Sequence, residues 1–434
     1  MFNISMRQRR SLLWALLAGG FLLVNFHRTA TAVLADTLAA TFDATGAELG
    51  SLHASFFYIY AALQLPSGLV VDRYGPRRVG AVGLAAMTGG VVWFAFSGGL
   101  AEAFLARGAI GLGGSVLYIS TLRFCANWYR PDEYATMTGY TIAAAGVGGI
   151  LATTPLALAI EAAGWRTAML AAGGVGAGLA VAIGAAVRDT PARAGHEAVA
   201  GADDAGAAAT LEDVLANTRT VLAERETWLM GVALFLTLGT NFTVLGLWGV
   251  PYVVDIYGVD VATASTYVLL GNVGFVIGSP AFGALSDRLE RRTALMVGAA
   301  ALFTLSYAAL VLVPPLPVVG TALFCALFAN GGVALAFTVG KERHDAEVAG
   351  TVTGVINSMG YFGAAVFPTL LGAVLDAYWT GEVIGGARVY TVPGYRVAFA
   401  IATATGVLAT GAVVWLHRRE QRAPAADGAA PATD

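Results

Sequence analysis

The sequence predicts an all-α membrane protein, twelve transmembrane helices arranged as two six-helix pseudo-repeats. Three observations carry that expectation: an apolar composition, twelve apolar runs of bilayer length, and a short charged loop that occurs once in each half. Of the 434 residues, 57% are hydrophobic and 12% charged, against roughly 25% charged in soluble domains. The mean hydropathy is +0.69. So little charge cannot clothe a soluble fold of this length, which excludes a soluble enzyme, a nucleic-acid binder and a disordered chain. The net charge of −3 steers no particular partner.

A hydrocarbon core about 30 Å thick takes roughly 20 helical residues to cross. Apolar runs of that length start near Ser11, Ala47, Val79, Leu100, Glu133 and Gly164. They resume near Trp228, Val261, Thr293, Leu316, Glu347 and Pro393. The first run continues to Ala40, longer than a cleaved secretory leader, so it is read as span 1. With the N-terminus placed in the cytoplasm, 19 of the 25 basic residues fall in cytoplasmic segments and Arg166, Arg388 and Arg396 fall outside. That bias orients the chain with both termini inside and supports an even number of spans. Three arginines, Arg28, Arg107 and Arg123, fall within spans.

Four regions follow: 1–190 as one six-helix bundle, 191–227 as a cytoplasmic linker, 228–420 as a second bundle, and 421–434 as a disordered tail. In the linker, Leu211, Val214, Leu215, Thr218 and Leu222 fall at helical spacing. They predict an amphipathic helix at the membrane surface.

The loop after span 2 reads Gly68, then Asp72-Arg73, Gly75 and Arg77-Arg78. The loop after span 8 repeats it with Gly283, Asp287-Arg288 and Arg291-Arg292. A parallel repeat of this kind points to a secondary transporter with its solute site between the halves. Asp72 adds nothing to positive-inside anchoring. An acid at a helix end can instead face the positive N-terminus of a neighbouring helix, and contacts made only when one face is closed bias a conformational equilibrium.

These residues resemble the major facilitator superfamily. The first loop matches its span 2–3 signature, and Arg107-Gly108, Gly111 and Gly113-Gly114 match its common span-4 motif. The resemblance covers residues 11–417. It implies that Asp72 meets the start of span 11 and that Arg73 and Arg77 pair with acids of the adjacent half. Gly68, Asp72, Arg73, Gly75, Arg77, Arg107, Asp287 and Arg288 are thereby implicated in conformational gating.

A charge deep in a span costs at least about 2.5 kcal/mol and is a functional candidate by default. Arg28 is expected in the outer half of span 1 and Arg123 in the inner half of span 4. Two guanidiniums without a mid-membrane acid would select an anion, because the guanidinium fork fits carboxylate and phosphate. Val24-Asn25-Phe26-His27-Arg28, Phe57 to Pro66 with Tyr60 and Gln64, and Arg107 through Arg123 to Arg130 look like the anion:cation symporter branch. That branch has arginines at the Arg28 and Arg123 positions and a substrate-facing tyrosine at the Tyr60 position. Two departures bear on coupling. The branch has an Asp where this chain has His27, and a Glu where it has Gly114. His27 is the remaining candidate for carrying a coupling proton. In the second half, Asn241, Asn357 and Tyr361 are the candidates for the neutral part of a solute, the last two one helical turn apart.

A drug antiporter is disfavoured, since Pro155 has no preceding glycine and no membrane acids suit a cationic drug. A retinal protein is disfavoured because Lys341, the single lysine, sits at a helix end. No catalytic set of carboxylates, Ser/His/Asp or metal ligands occurs in the spans. The expectation is a non-enzymatic, cofactor-free, monomeric transporter in the cell membrane, with lipid and a small solute as partners and a proton or cation as a candidate co-substrate. An organic anion is the first reading of the solute. A transporter of a neutral or zwitterionic solute such as a short peptide, a drug or metabolite exporter, a channel and a receptor remain as alternatives.

Overall fold

The computed structural model describes residues 6–195, 197, 211–344 and 346–422. Ten helices are long and apolar enough to cross a bilayer, and two bent helix pairs bring the number to twelve. Span 1 starts at Met6 rather than Ser11, and every other span starts within three residues of its expected position.

The two bent spans have local causes. Span 2 breaks by 55° between Gly46–Ala62 and Gln64–Tyr74, with Pro66 in the turn after the break. Span 5 breaks by 42° between Thr136–Leu151 and Thr154–Ala163, where Pro155 opens the second piece. Proline has no N–H to give the ladder, and its ring pushes on the preceding turn. Span 7, Arg225–Tyr257, holds a π-helical turn over Val244–Trp248. Such turns rotate the residues beyond them out of helical register.

Beyond Ala30, span 1 continues as the helix Thr31–Phe42 on the face opposite the termini, in line with the apolar run that extends to Ala40. Two features were not anticipated. An antiparallel hairpin, Trp379–Ile384 with Ala387–Tyr390, joins spans 11 and 12 there. At the other end of the chain, the last helix, Val392–Arg422, takes in Gln421 and Arg422, which were expected in the tail. The linker helix is present as Leu211–Ala223 and packs against span 11. The expectations for 198–210 and 423–434 lie outside the described residues.

Spans 2 and 11 form the main seam between the halves, with spans 5 and 8 as the second. The first seam is tight on the face opposite the termini. A Cβ on Gly50 would lie 2.2 Å from the carbonyl oxygen of Pro368, and one on Gly372 would lie 2.1 Å from that of Gly46. Only glycine permits that approach. Asp376, at the far end of span 11, accepts the backbone N–H groups of Gly46 and Ala47 at 2.8 Å each. It therefore caps the first turn of span 2 across the seam, where the helix dipole favours an anion. Arg388 of the hairpin holds the same carboxylate at 3.1 Å, and the Ser51 and Thr369 hydroxyls lie 3.2 Å apart.

On the face carrying the termini the seam is looser: Gln64–Tyr74 of span 2 still packs on span 11, but far less than Gly46–Ala62 does. A Cβ on Gly68, Gly283 or Gly350 would meet nothing within 4 Å. The ion pairs of this face that define its loops stay within one half: Arg10 with Glu133 and Asp72 with Arg123 in the first, Arg292 with Asp287 and Glu342 in the second. The structure is closed on the far face and open on the face carrying the termini.

Candidate functional site

Between the halves lies a cavity of about 290 Å³. Span 1 contributes Phe21, Asn25 and Arg28, span 2 Tyr60, and span 4 Tyr118. From the second half come Phe242 on span 7, Phe275 and Ser279 on span 8, Asn330 to Lys341 on span 10, and Thr353, Asn357 and Tyr361 on span 11. No carboxylate lines it among the described residues.

Arg28 is its deep cation. It is 8% exposed, and no hydrogen bond or ion pair engages its guanidinium among the described residues. Its contact is with the face of Phe242 from the opposite half, 4.1 Å from guanidinium carbon to ring centre. A cation resting on an aromatic face keeps its in-plane N–H donors available. Tyr60 and Tyr361 meet edge to face at 4.7 Å, and Tyr361 also stacks near Phe57. Together these rings form an aromatic wall shared by both halves. Asn357 donates to the side-chain oxygen of Gln64 at 2.9 Å, while Gln64 donates to the Tyr60 carbonyl at 3.2 Å. Gln64 is thus a bridge between spans 2 and 11 just behind the cavity wall. Among the expected contacts, the structure brings Arg28, Tyr60, Asn357 and Tyr361 to one cavity and places Gln64 beside them.

Three expectations are corrected. Arg123 does not share the cavity with Arg28. Its Nε lies 3.2 Å from Asp72, in the polar loop region with Asn127, Asp189 and Arg193. A nearby carboxylate offers it a cheaper partner than an open vestibule. Asn241 does not face the cavity either. It is fully buried within the second half, where Nδ2 donates to the Ala326 carbonyl at 3.1 Å and Tyr307 donates to its Oδ1 at 2.9 Å. Arg77 turns into its own half. Nε and Nη2 donate to the Gly184 carbonyl, and its backbone N–H donates to Asp189.

The remaining motif residues are placed as follows. Gly75 closes span 2 at φ +81°, and a Cβ there would strike Asp189 at 2.6 Å. The position requires glycine on both counts. Arg73 lies over the ring of Tyr74 at 5.6 Å. Asp287 pairs with Arg292 at 3.5 Å, and Arg288 is exposed on the loop. Arg107 is wholly buried in the first half, 5.8 Å from the Phe94 ring, with no hydrogen-bond partner for its guanidinium nitrogens among the described residues. His27 is 1% exposed and packs edge to face on Phe26 rather than lining the cavity.

Sequence reasoning missed Phe242, Tyr118 and Lys341 as lining residues. For Lys341 a signal was present: Asn330, Ala334, Phe337 and Lys341 recur at helical spacing and line the cavity as one face of span 10.

The sequence model of the Major Facilitator Superfamily matches residues 16–368. The membrane sensor protein UhpC of Salmonella typhimurium is 29% identical over 383 residues, covering 83% of this chain and 85% of that protein. The probable sulfoacetate transporter SauU of Cupriavidus necator is 25% identical over 276 residues, covering 63% and 64%. Among solved structures, a bacterial homologue of the human lysosomal transporter Spinster superposes with a TM-score of 0.71 at 17% identity, over 95% of this chain and 97% of that one. The family match spans most of the chain, and the twelve-helix fold agrees with it. The chain therefore belongs to the Major Facilitator Superfamily, as a multi-pass membrane transporter and not an enzyme.

Proposed function

We propose that this protein is a secondary active transporter that moves a small organic anion by alternating access, with Arg28 as the anchor for the anionic group. One observation carries the reading. Arg28 opens onto a cavity built from both halves, with no ion-pair partner among the described residues and no lining acid. A guanidinium in that position gains most from a ligand carboxylate, sulfonate or phosphate. The similarity to SauU, a probable sulfoacetate transporter, supports the same solute class.

In this reading the protein is a monomer in the cell membrane with both termini in the cytoplasm. Residues 1–190 rock against 228–420, joined by 191–227. Asp72 exchanges Arg123 for the start of span 11 when the cytoplasmic face closes. Tyr60, Tyr361 and Asn357 contact the neutral part of the solute. His27 is the candidate for a coupling proton, and its burial inside the first half requires that half to open a path to it.

The test is a thermal-shift screen of purified protein against carboxylates, sulfonates, phosphates, amino acids, short peptides and cationic drugs. A ligand at 100 times its dissociation constant stabilises by about 2.7 kcal/mol. An anion should stabilise the wild type and fail on Arg28→Ala. Stabilisation by neutral or cationic compounds alone would overturn the anion reading. UhpC is named a sensor, which favours a second reading: solute binding without transport. Uptake of the stabilising anion into proteoliposomes separates the two.

A further inference from the structure

Span 10 ends in four consecutive titratable residues, Lys341 to His344. Three of them are tied to the loops of the second half. Glu342 holds Arg292 at 2.6 Å, and Arg343 approaches Glu226 at 3.9 Å. His344 lies 2.9 Å from Glu224. Lys341 differs from its neighbours. It is exposed, makes no ion pair among the described residues, and lines the central cavity.

Its depth follows from the helix. Asn330 and Lys341 lie on the same lining face, 11 residues apart. At 1.5 Å per residue Lys341 sits about 16 Å nearer the face carrying the termini. It therefore stands at the mouth, while Arg28 lies deep. These are the two cations that line the cavity, one from each half. The walls between them are mostly apolar and aromatic. A cation at the mouth of a vestibule with low-dielectric walls concentrates anions there and raises their rate of entry.

We propose that Lys341 is the anion-capture residue of this cavity: it draws the solute's charged group in from the open face and delivers it to Arg28. The inference extends the anion reading of the central cavity, but its test does not need the solute to be known.

The probe is a single cysteine, Ser279→Cys, in a chain whose Cys125 and Cys325 are replaced by serine. Ser279 lines the cavity and is half-buried. Its labelling rate is measured with two methanethiosulfonate reagents, one bearing a sulfonate and one a trimethylammonium. Lys341→Gln should lower the ratio of anionic to cationic labelling by about threefold or more at low salt. The difference should vanish at about 1 M salt, where the Debye length is about 3 Å. Lys341→Arg should keep the wild-type ratio. A ratio unchanged by Lys341→Gln at low salt, or one changed equally at all salt concentrations, overturns the inference. The thermal screen on Arg28→Ala reports separately on the deep site. An Arg28-dependent anion shift with a labelling ratio indifferent to Lys341 refutes this inference alone, and the converse refutes the Arg28 anchor alone.

Discussion

The cap that Asp376 places on span 2 makes the far face openable by one substitution. Its two carboxylate oxygens accept Gly46 N–H and Ala47 N–H at 2.8 Å each, with Arg388 at 3.1 Å. All of the capped backbone belongs to the other half, so opening that face must break both bonds. A hydrogen bond to a charged acceptor contributes about 1.5 kcal/mol or more net of water. Removing two of them with Asp376→Ala should weaken the closed far face by about 3 kcal/mol, roughly a hundredfold in population at 1.4 kcal/mol per tenfold. Asp376→Asn keeps one neutral acceptor and should give about half of that free energy. The assay is a spin-label distance between Asp43→Cys in the first half and Leu312→Cys in the second, both exposed on that face, with the native cysteines removed. The wild type should show one short distance, and Asp376→Ala a second, longer population. An unchanged distribution in Asp376→Ala would refute the argument, because it would mean that the cap contributes nothing specific to the closed state.

Three further outcomes follow from the same geometry. Gly50→Ala forces a Cβ to 2.2 Å from the Pro368 carbonyl, so it should lengthen the same label distance, whereas Gly68→Ala, which meets open space in this state, should leave it unchanged. Arg123→Ala should retain the anion-dependent thermal shift that Arg28→Ala loses, because Arg123 is bound to Asp72 and not to the cavity; the thermal screen compares the two variants directly. Asn241→Ala should lower the thermal midpoint without altering the ligand shift, since it strands the buried Tyr307 hydroxyl and frees the Ala326 carbonyl, a loss on the order of 1 kcal/mol in a membrane interior.

The spans were legible because a bilayer imposes a length and an apolar composition on every crossing. Arg28 was legible because a charge there is too costly without a purpose. The errors share one physical origin. Periodicity and helix rise give the depth of a residue, but they do not say which distant group approaches it. Arg123 lies toward the face carrying the termini, as its place in span 4 requires, yet its partner, Asp72, lies 51 positions earlier on span 2. The face that Asn241 presents depends on how span 7 packs against spans 9 and 10, whose Tyr307 and Ala326 hold it, and no local pattern encodes that packing. Lys341 was weighed only as a retinal-binding lysine and set aside for its place at a helix end, and that place is where it lines the cavity. The Trp379–Ile384 and Ala387–Tyr390 hairpin had a signal that was passed over: Gly385-Gly386, both at positive φ, joins the two strands as a two-residue turn.

Asp72 and Asp376 give these observations a common logic. Both carboxylates sit at ends of the span 2 and span 11 pair, on opposite faces of the membrane. Asp376, at the end of span 11, caps the start of span 2. Asp72, near the end of span 2, stands in the mirrored relation to the start of span 11. Among the described residues the first cap is made, no bond joins Asp72 to span 11, and Arg123 holds the Asp72 carboxylate. In the alternating-access reading proposed above, this helix pair cannot close at both ends, so each cap would be made at the other's expense. On that proposal, the Asp72–Arg123 pair compensates the carboxylate while the face carrying the termini is open. Its strength, set against that of the Asp376 cap, would then bias which face the resting protein opens.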